Sequence, residues 1–130
     1  MSAGTTTDLG TRFATALAAK DSAALTDLLT PDVDFLGLTP RRMWEAHSPE
    51  EVLEVLGTWF DEQDHIEALL EVSSGEPVED TQHVGYRLTV VTPDGPHAVA
   101  QQAYYRTDGD RIAYLRVMCS GFRPQGAGVR

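Results

Sequence analysis

Residues Gln82–Cys119 read QHVGYRLTVVTPDGPHAVAQQAYYRTDGDRIAYLRVMC, and this stretch decides the fold. Apolar and polar side chains alternate with a period of two through Gln82–Val91, His97–Arg106 and Arg111–Cys119, the pattern of half-buried strands. Pro93, Asp94, Gly95 and Pro96 separate the first pair of runs, and Thr107, Asp108, Gly109 and Asp110 the second, each a cluster of turn-forming residues. Connections this short join antiparallel neighbours, so the runs form a meander. Just upstream, Ile66, Ala68, Leu70 and Val72 point one way while Glu67 and Glu71 point the other, which adds a strand at the front.

Before His65 the period changes to that of helices. Leu9, Phe13, Ala16 and Leu17 share one face of a helix over Asp8–Lys20, with Thr6 or Thr7 placed to cap it. Asp21 starts a shorter helix with an apolar stripe of Leu25, Leu28 and Leu29, which Pro31 stops, and Asp32–Leu38 follows as a short strand. Ser48, Pro49, Glu50 and Glu51 give a hydroxyl cap, a proline at the first helical position and a carboxylate three residues after the cap. The helix they open runs to about Phe60, burying Val52, Val55, Leu56, Trp59 and Phe60. A mid-helix glycine costs on the order of 1 kcal/mol against alanine, so Gly57 predicts close packing of another segment on that turn. The whole reads as one α+β domain over residues 8–122, with 1–7 a disordered or capping N-terminus and 123–130 a flexible tail.

Composition narrows the function. The 130 residues are 42% hydrophobic and carry 10 Lys and Arg against 20 Asp and Glu, a formal charge of -10. From Met43 to Tyr86 there are twelve acidic residues and no Lys or Arg, which repels a phosphate backbone and speaks against a nucleic-acid partner. No apolar run approaches the ~18 residues of a membrane span, and no leader opens the chain at Met1, so the expectation is a cytoplasmic protein without a membrane partner. Cys119 is alone and forms no internal disulfide. His65, His83 and His97 stand at strand starts without metal-ligand spacing, and phosphate loops and paired-cysteine motifs are missing, so neither metal nor cofactor is expected.

Three segments carry a resemblance. Phe13–Asp21 (FATALAAKD), Leu28–Val33 (LLTPDV) and the closing Tyr104–Ile112 (YYRTDGDRI) resemble the nuclear transport factor two-like superfamily over about Leu9–Phe122, in its SnoaL-like and ketosteroid-isomerase-like branch. The resemblance implies a cone-shaped α+β fold, with N-terminal helices packed on a strongly curved antiparallel sheet that encloses a deep, mostly apolar pocket. In ketosteroid isomerases a tyrosine of the first helix and a protonated aspartic acid on the sheet hold the oxyanion, while a second aspartate moves the proton. The matching positions here are Phe13, Gln102 and Gly37, so that chemistry is not available. Asp34 has the parity of the opposite strand face from Val33 and Phe35, and no sheet aspartate exists for the two-aspartate relay of limonene epoxide hydrolases.

What remains is an uncharged wall. With Gln102 inward, Ala98, Ala100 and Tyr104 share its face, and on the last strand so do Ala113, Leu115, Val117 and Cys119. A two-residue turn at Asp94 and Gly95 would pair Gln102 with Arg87 and turn the arginine in; an added bulge residue returns Tyr86, Leu88 and Val90 to the core, and apolar alternation favours Tyr86. The ligand-binding candidates are therefore Phe13, Trp44, Trp59, Tyr86, Gln102, Tyr104, Leu115 and Cys119. Trp59 also fits plain core, and Cys119 fits a buried small hydrophobe, since no base stands near to lower its pKa. His47 is the one histidine offered as an acid or base, although its place just before a helix cap equally suits a surface residue.

On the opposite face Val99, Ala103, Tyr105, Ile112, Tyr114 and Met118 make an apolar patch, expected to form a two-fold homodimer interface with Arg116 and Gln101 as polar contacts. The leading functional reading is a SnoaL-like protein that binds a small apolar molecule. An isomerase- or cyclase-type enzyme acting on a small carbonyl or polycyclic compound through His47 is the alternative. A second alternative is a protein-interaction module using the acidic helix face of Glu50, Glu51 and Glu54, whose binding would weaken with salt.

Overall fold

The structure, a computed structural model, describes residues 8–124. The described residues form three helices, two before the first strand and one after the second, and each has a side-chain cap. Helix α1 (Leu9–Ala18) is capped by Asp8, whose carboxylate accepts from the Thr11 amide at 2.7 Å. The cap is thus Asp8 rather than Thr6 or Thr7, which lie outside the described residues. Asp21 caps α2 (Ser22–Leu28) through the Ala24 amide at 3.1 Å. Ser48 caps α3 (Pro49–Trp59) through the Glu51 amide at 3.2 Å, and the Glu51 carboxylate reaches back to the His47 amide at 2.8 Å. Gly57 is exposed on α3, and a methyl group there would meet no heavy atom within 4 Å, so the close packing expected at this glycine does not occur.

The strands are β1 (Leu29–Thr39), β2 (Arg42–Ala46), β3 (His65–Ser74), β4 (Gln82–Thr92), β5 (Gly95–Asp108), β6 (Arg111–Cys119) and β7 (Arg123–Pro124). They form one curved sheet in the order β2-β1-β6-β5-β4-β3, with β7 paired to β5. The β3–β6 meander is antiparallel throughout. Long-range pairing adds what local pattern does not encode: β1 lies parallel to β6, so the sheet is mixed, and β2 folds back on β1 across a turn at Pro40 and Arg41. Arg123 and Pro124, placed by the sequence reading in the tail, pair with Ala98 and His97; residues 125–130 lie outside the described part.

Helices cover one face only. Helix α1 packs over β3 and β4, and α3 over β1 and β2. The close approach of α1 depends on Gly10, where a methyl group would come within 2.8 Å of the Tyr105 ring. The Gly10 amide also donates to the Tyr105 hydroxyl at 3.0 Å, pinning the helix start to the sheet.

Register on β5 departs from expectation. The hairpin loop holds only Pro93 and Asp94, with Thr92 paired to Gly95 and Gly95 at φ +117°. Tyr86 therefore lies opposite Gln101 and Leu88 opposite Val99. Tyr86, Leu88 and Val90 face the helices, while Arg87 points out toward Glu71 at 3.5 Å. Because cross-strand partners share a face, Val99, Gln101, Ala103 and Tyr105 turn inward, and Gln102 and Tyr104 turn to the open face. A shift of one residue in phase exchanges the two faces, which is the difference between the expected and the observed placement of Gln102 and Tyr104.

The same shift dismantles the expected outer patch. Val99, Ala103 and Ile112 are fully buried, Tyr105 is 3% exposed, and all four pack in the helix-covered core. Of the six residues assigned to that patch, Tyr114 and Met118 alone lie on the open face, and Gln101 is buried rather than a rim contact. Ile112 reaches the core beside Leu115 because the β5–β6 register skips Ala113, a bulge that resets the pleat.

Candidate functional site

Three inward side chains line up across the centre of the sheet. Tyr86 on β4 pairs with Gln101 on β5, and Gln101 with Cys119 on β6. They are 3%, 1% and 6% exposed. The Tyr86 hydroxyl donates to the Gln101 Oε1 at 2.5 Å, while the Gln101 Nε2 has no partner. Burial, and secondly the neighbouring Cys119, pushes the Tyr86 phenol well above its ordinary range, so it stays protonated and acts as a donor. The Cys119 sulfur accepts from the Gly121 amide at 3.5 Å.

Beside this row stands an aromatic wall. The Trp59 indole covers Gly37, where a methyl group would come within 2.6 Å of its Cη2, so glycine at 37 makes room for the ring. Trp59 contacts Phe35 with ring centres 6.2 Å apart and meets Trp44 edge-on at 6.2 Å. Its Nε1 is buried without an acceptor. Trp44 is half-buried, donates through Nε1 to the Thr39 hydroxyl at 3.0 Å and carries the Arg42 guanidinium on its other side at 3.8 Å. Phe122 closes the adjoining corner between Phe60 and His97, at ring distances of 5.8 and 5.7 Å.

Of the residues singled out from sequence, Phe13, Trp59, Tyr86, Leu115 and Cys119 lie in this interior, with Trp44 at its margin. Gln102 and Tyr104 stand on the opposite face, where Gln102 contacts His83 and the Tyr104 ring stacks on His83 with centres 4.7 Å apart. His47 is exposed at the cap of α3 and belongs to neither set. Asp34 also points outward, toward Arg116 at 3.3 Å. The residue that sequence reading missed is Gln101. Its signal was present, since holding Tyr86, Leu88 and Val90 inward across a two-residue loop puts Gln101, not Gln102, opposite Tyr86.

Comparison with known proteins gives the fold alone. No protein-family model matches the chain, and no curated protein does either. Solved structures match over nearly the whole length. A proposed isomerase from Rhodopseudomonas palustris superposes with a TM-score of 0.72 at 17% identity, covering 89% of this chain and 92% of that one. A protein of ketosteroid-isomerase-like fold from Catenulispora acidiphila, solved with trimethylamine, gives 0.67 at 18% identity over 89% and 88%. A proposed polyketide cyclase from Xanthomonas campestris gives 0.67 at 14% over 85% and 86%. The chain adopts the nuclear transport factor two-like fold. Within a nuclear transport factor two-like cone, the interior of this chain is chemically sparse. Its buried set holds no Asp, Glu, His, Lys or Arg among the described residues. The polar groups it offers are the Tyr86–Gln101 pair, the Cys119 sulfur, the Trp59 N–H, the Thr30 hydroxyl and the Tyr105 hydroxyl that accepts from the Gly10 amide, groups that can orient a neutral molecule.

Proposed function

We propose that this protein binds a small, largely apolar molecule between α1, α3 and the covered face of the sheet, in contact with Gln101. The observation that carries the reading is the Gln101 amide, 1% exposed with its Nε2 unpartnered. A buried polar group left unpaired costs about 1–3 kcal/mol, and a leucine at the position would avoid that cost. Stability does not explain such a group, whereas a ligand atom that completes its hydrogen bonding does. In the free protein Phe13, Trp59, Tyr86 and Leu115 fill the interior, so a ligand enters by displacing a side chain, and Trp59 at the margin is the one next to Trp44 and solvent. The isomerase and cyclase roles proposed for neighbours of this fold support a small-molecule site.

Native mass spectrometry of gently purified protein tests this. The expected spectrum shows a discrete added mass, carried through purification or taken up from an added apolar ligand, that Gln101→Leu abolishes. An identical added mass in both proteins overturns the role of Gln101, and bare protein under every condition overturns the site. The enzyme reading needs a proton-transfer group, and unchanged turnover in His47→Gln would remove the one that sequence offers.

The same spectrum reports assembly, and we infer that a second copy covers the open face of the sheet. Leu38 and its cross-strand partner Met118 are 38% and 53% exposed there, with Tyr104 at 41%. Asp34 and Arg116 sit on the same face and can pair reciprocally across a two-fold axis. A monomer at micromolar concentration overturns the assignment.

A further inference from the structure

Gly57 weakens the middle of α3, and the fold supplies no contact that requires it. Its position on the helix offers a different reason. Leu53, Leu56, Gly57 and Phe60 fall on one face of α3 at intervals of three and four, and that face looks across to the end of α1 and to α2. Leu17, Leu25, Leu56 and Phe60, each no more than 4% exposed, line a slot of about 180 Å³ between the three helices. No strand residue lines it, so it is distinct from the Tyr86–Gln101 row on the sheet. Packed proteins leave few gaps of this size, and a larger side chain at position 57 would project into this one, so glycine keeps it open. An apolar cavity of about 150 Å³ holds a benzene-sized molecule, which makes room here for one ring or a chain of about six carbons.

The rim of the slot selects the head of such a molecule. Lys20, which follows α1 with a φ of +53°, lines the slot, and its ammonium donates to the carbonyls of Asp61 and Asp64 at 2.7 and 2.5 Å. These two neutral acceptors fix the side chain in place and leave one of its three N–H groups over. Lys20 makes no salt bridge among the described residues. The carboxylates around it are committed to backbone amides, Asp21 to Ala24, Asp61 to Gln63 and Asp64 to Asp61. A fixed cation with a donor to spare, beside an apolar slot, complements a carboxylate carried on a short apolar tail, whereas an ammonium head would meet like charge. We propose that the slot between α1, α2 and α3 is a second binding site, which takes a monocarboxylate with a tail of about six carbons, Gly57 leaving room for the tail and Lys20 pairing with the head. It stands or falls independently of the interior site. Because the ion pair is exposed, it favours the carboxylate over a neutral head of the same shape by about threefold.

The test is a titration of the 15N-labelled full chain at neutral pH, followed by NMR at the backbone amides of Gly57 and Phe60, with the Trp59 indole N–H as reporter for the interior. The probes are hexanoate, hexanamide, hexylamine and acetate, which separate the charge of the head from the contribution of the tail. Hexanoate is expected to move the Gly57 and Phe60 signals, to leave the Trp59 indole in place, and to bind about threefold more tightly than hexanamide. Hexylamine binds more weakly than hexanamide, and acetate, without a tail, moves neither amide. Gly57→Leu fills the slot and abolishes the response to hexanoate. Lys20→Gln keeps a donor but loses the charge, so the preference for hexanoate over hexanamide falls to one while both still bind. Lys20→Met gives the same readout if the glutamine variant does not fold, and Gly57→Met does so for the leucine variant. Equal binding of hexanoate and hexanamide, or a preference that survives loss of the Lys20 charge, overturns the choice of a carboxylate. A response to hexanoate that persists in Gly57→Leu, one seen only at the Trp59 indole, or no response at all overturns the site.

Discussion

The Tyr86–Gln101 pair makes a stability prediction with an unusual sign. In wild type the pair contains one made hydrogen bond at 2.5 Å and one unmade donor, the Gln101 Nε2. Tyr86→Phe deletes the bond and leaves the amide oxygen buried without a donor, which costs about 1–3 kcal/mol. Gln101→Leu leaves the phenol unpaired but removes the orphan NH2, so the two terms offset and the variant stays within about 1 kcal/mol of wild type. The double variant removes every polar atom of the pair and replaces it with apolar groups of similar shape. It is expected to be at least as stable as wild type, which gives a coupling of about 2 kcal/mol between the two sites. Urea unfolding of the four proteins measures this, read from midpoints at constant m. In a chain of this length 2 kcal/mol corresponds to a shift of about 8 °C in Tm. A double variant less stable than Tyr86→Phe would refute the reasoning, because the Gln101 amide would then stabilise the fold in its own right.

Two further predictions concern the scaffold. Gly57→Ala places a methyl in open space on an exposed face of α3 and is expected to raise stability by about 1 kcal/mol, seen as a Tm higher by about 4 °C; an unchanged or lower Tm would mean the turn is packed against something. Burial pushes the Tyr105 and Tyr86 phenols above their ordinary value of 10.0, although the bond from the Gly10 amide opposes this at Tyr105. The unfolded chain then ionises before the folded one, so the contribution of these phenols is fully present below pH 10 and is lost as pH rises above it. Unfolding free energy measured from pH 8 to 11 is expected to decline above pH 10, and Tyr105→Phe should flatten that decline while lowering neutral-pH stability by about 1–2 kcal/mol through the stranded Gly10 amide. A decline as steep in the variant as in wild type would remove Tyr105 from the account.

Local chemistry made much of the fold legible. The cap at Ser48 with its Glu51 partner, the cap at Asp21 and the alternation of Val84, Tyr86, Leu88 and Val90 each involve residues close in sequence, and each forms in the structure. What stayed hidden depends on partners far along the chain. Nothing within Leu29–Thr39 announces a parallel neighbour eighty residues away at β6, since the Asp34–Tyr114 pairing is made only by the tertiary fold. Arg42–Ala46 lacks alternation because most of this short strand is exposed, and it is a strand through its pairing to β1. Gly37 shows no sequence sign that Trp59 will lie on it.

The site was misread for a sharper reason. In Ala98–Tyr105 the chain runs Ala-Val-Ala-Gln-Gln-Ala-Tyr-Tyr, so one face carries Ala98, Ala100, Gln102 and Tyr104 and the other Val99, Gln101, Ala103 and Tyr105. Each face offers a glutamine and a tyrosine, two residues apart on one and four on the other, and a period-two pattern cannot choose between them. The choice is made elsewhere, by the two-residue loop that pairs Thr92 with Gly95 and by the Tyr105 hydroxyl that receives the Gly10 amide. A slip of one residue that put Gln102 opposite Tyr86 would also put Arg106 where α1 needs Tyr105. The doubled residues make the two registers alike in composition, so the discrimination rests on geometry at the ends of the strand. The hydrogen bond that anchors the first helix therefore also decides which glutamine faces the interior, and the polar row at the centre of the cone exists only in the register that this bond enforces.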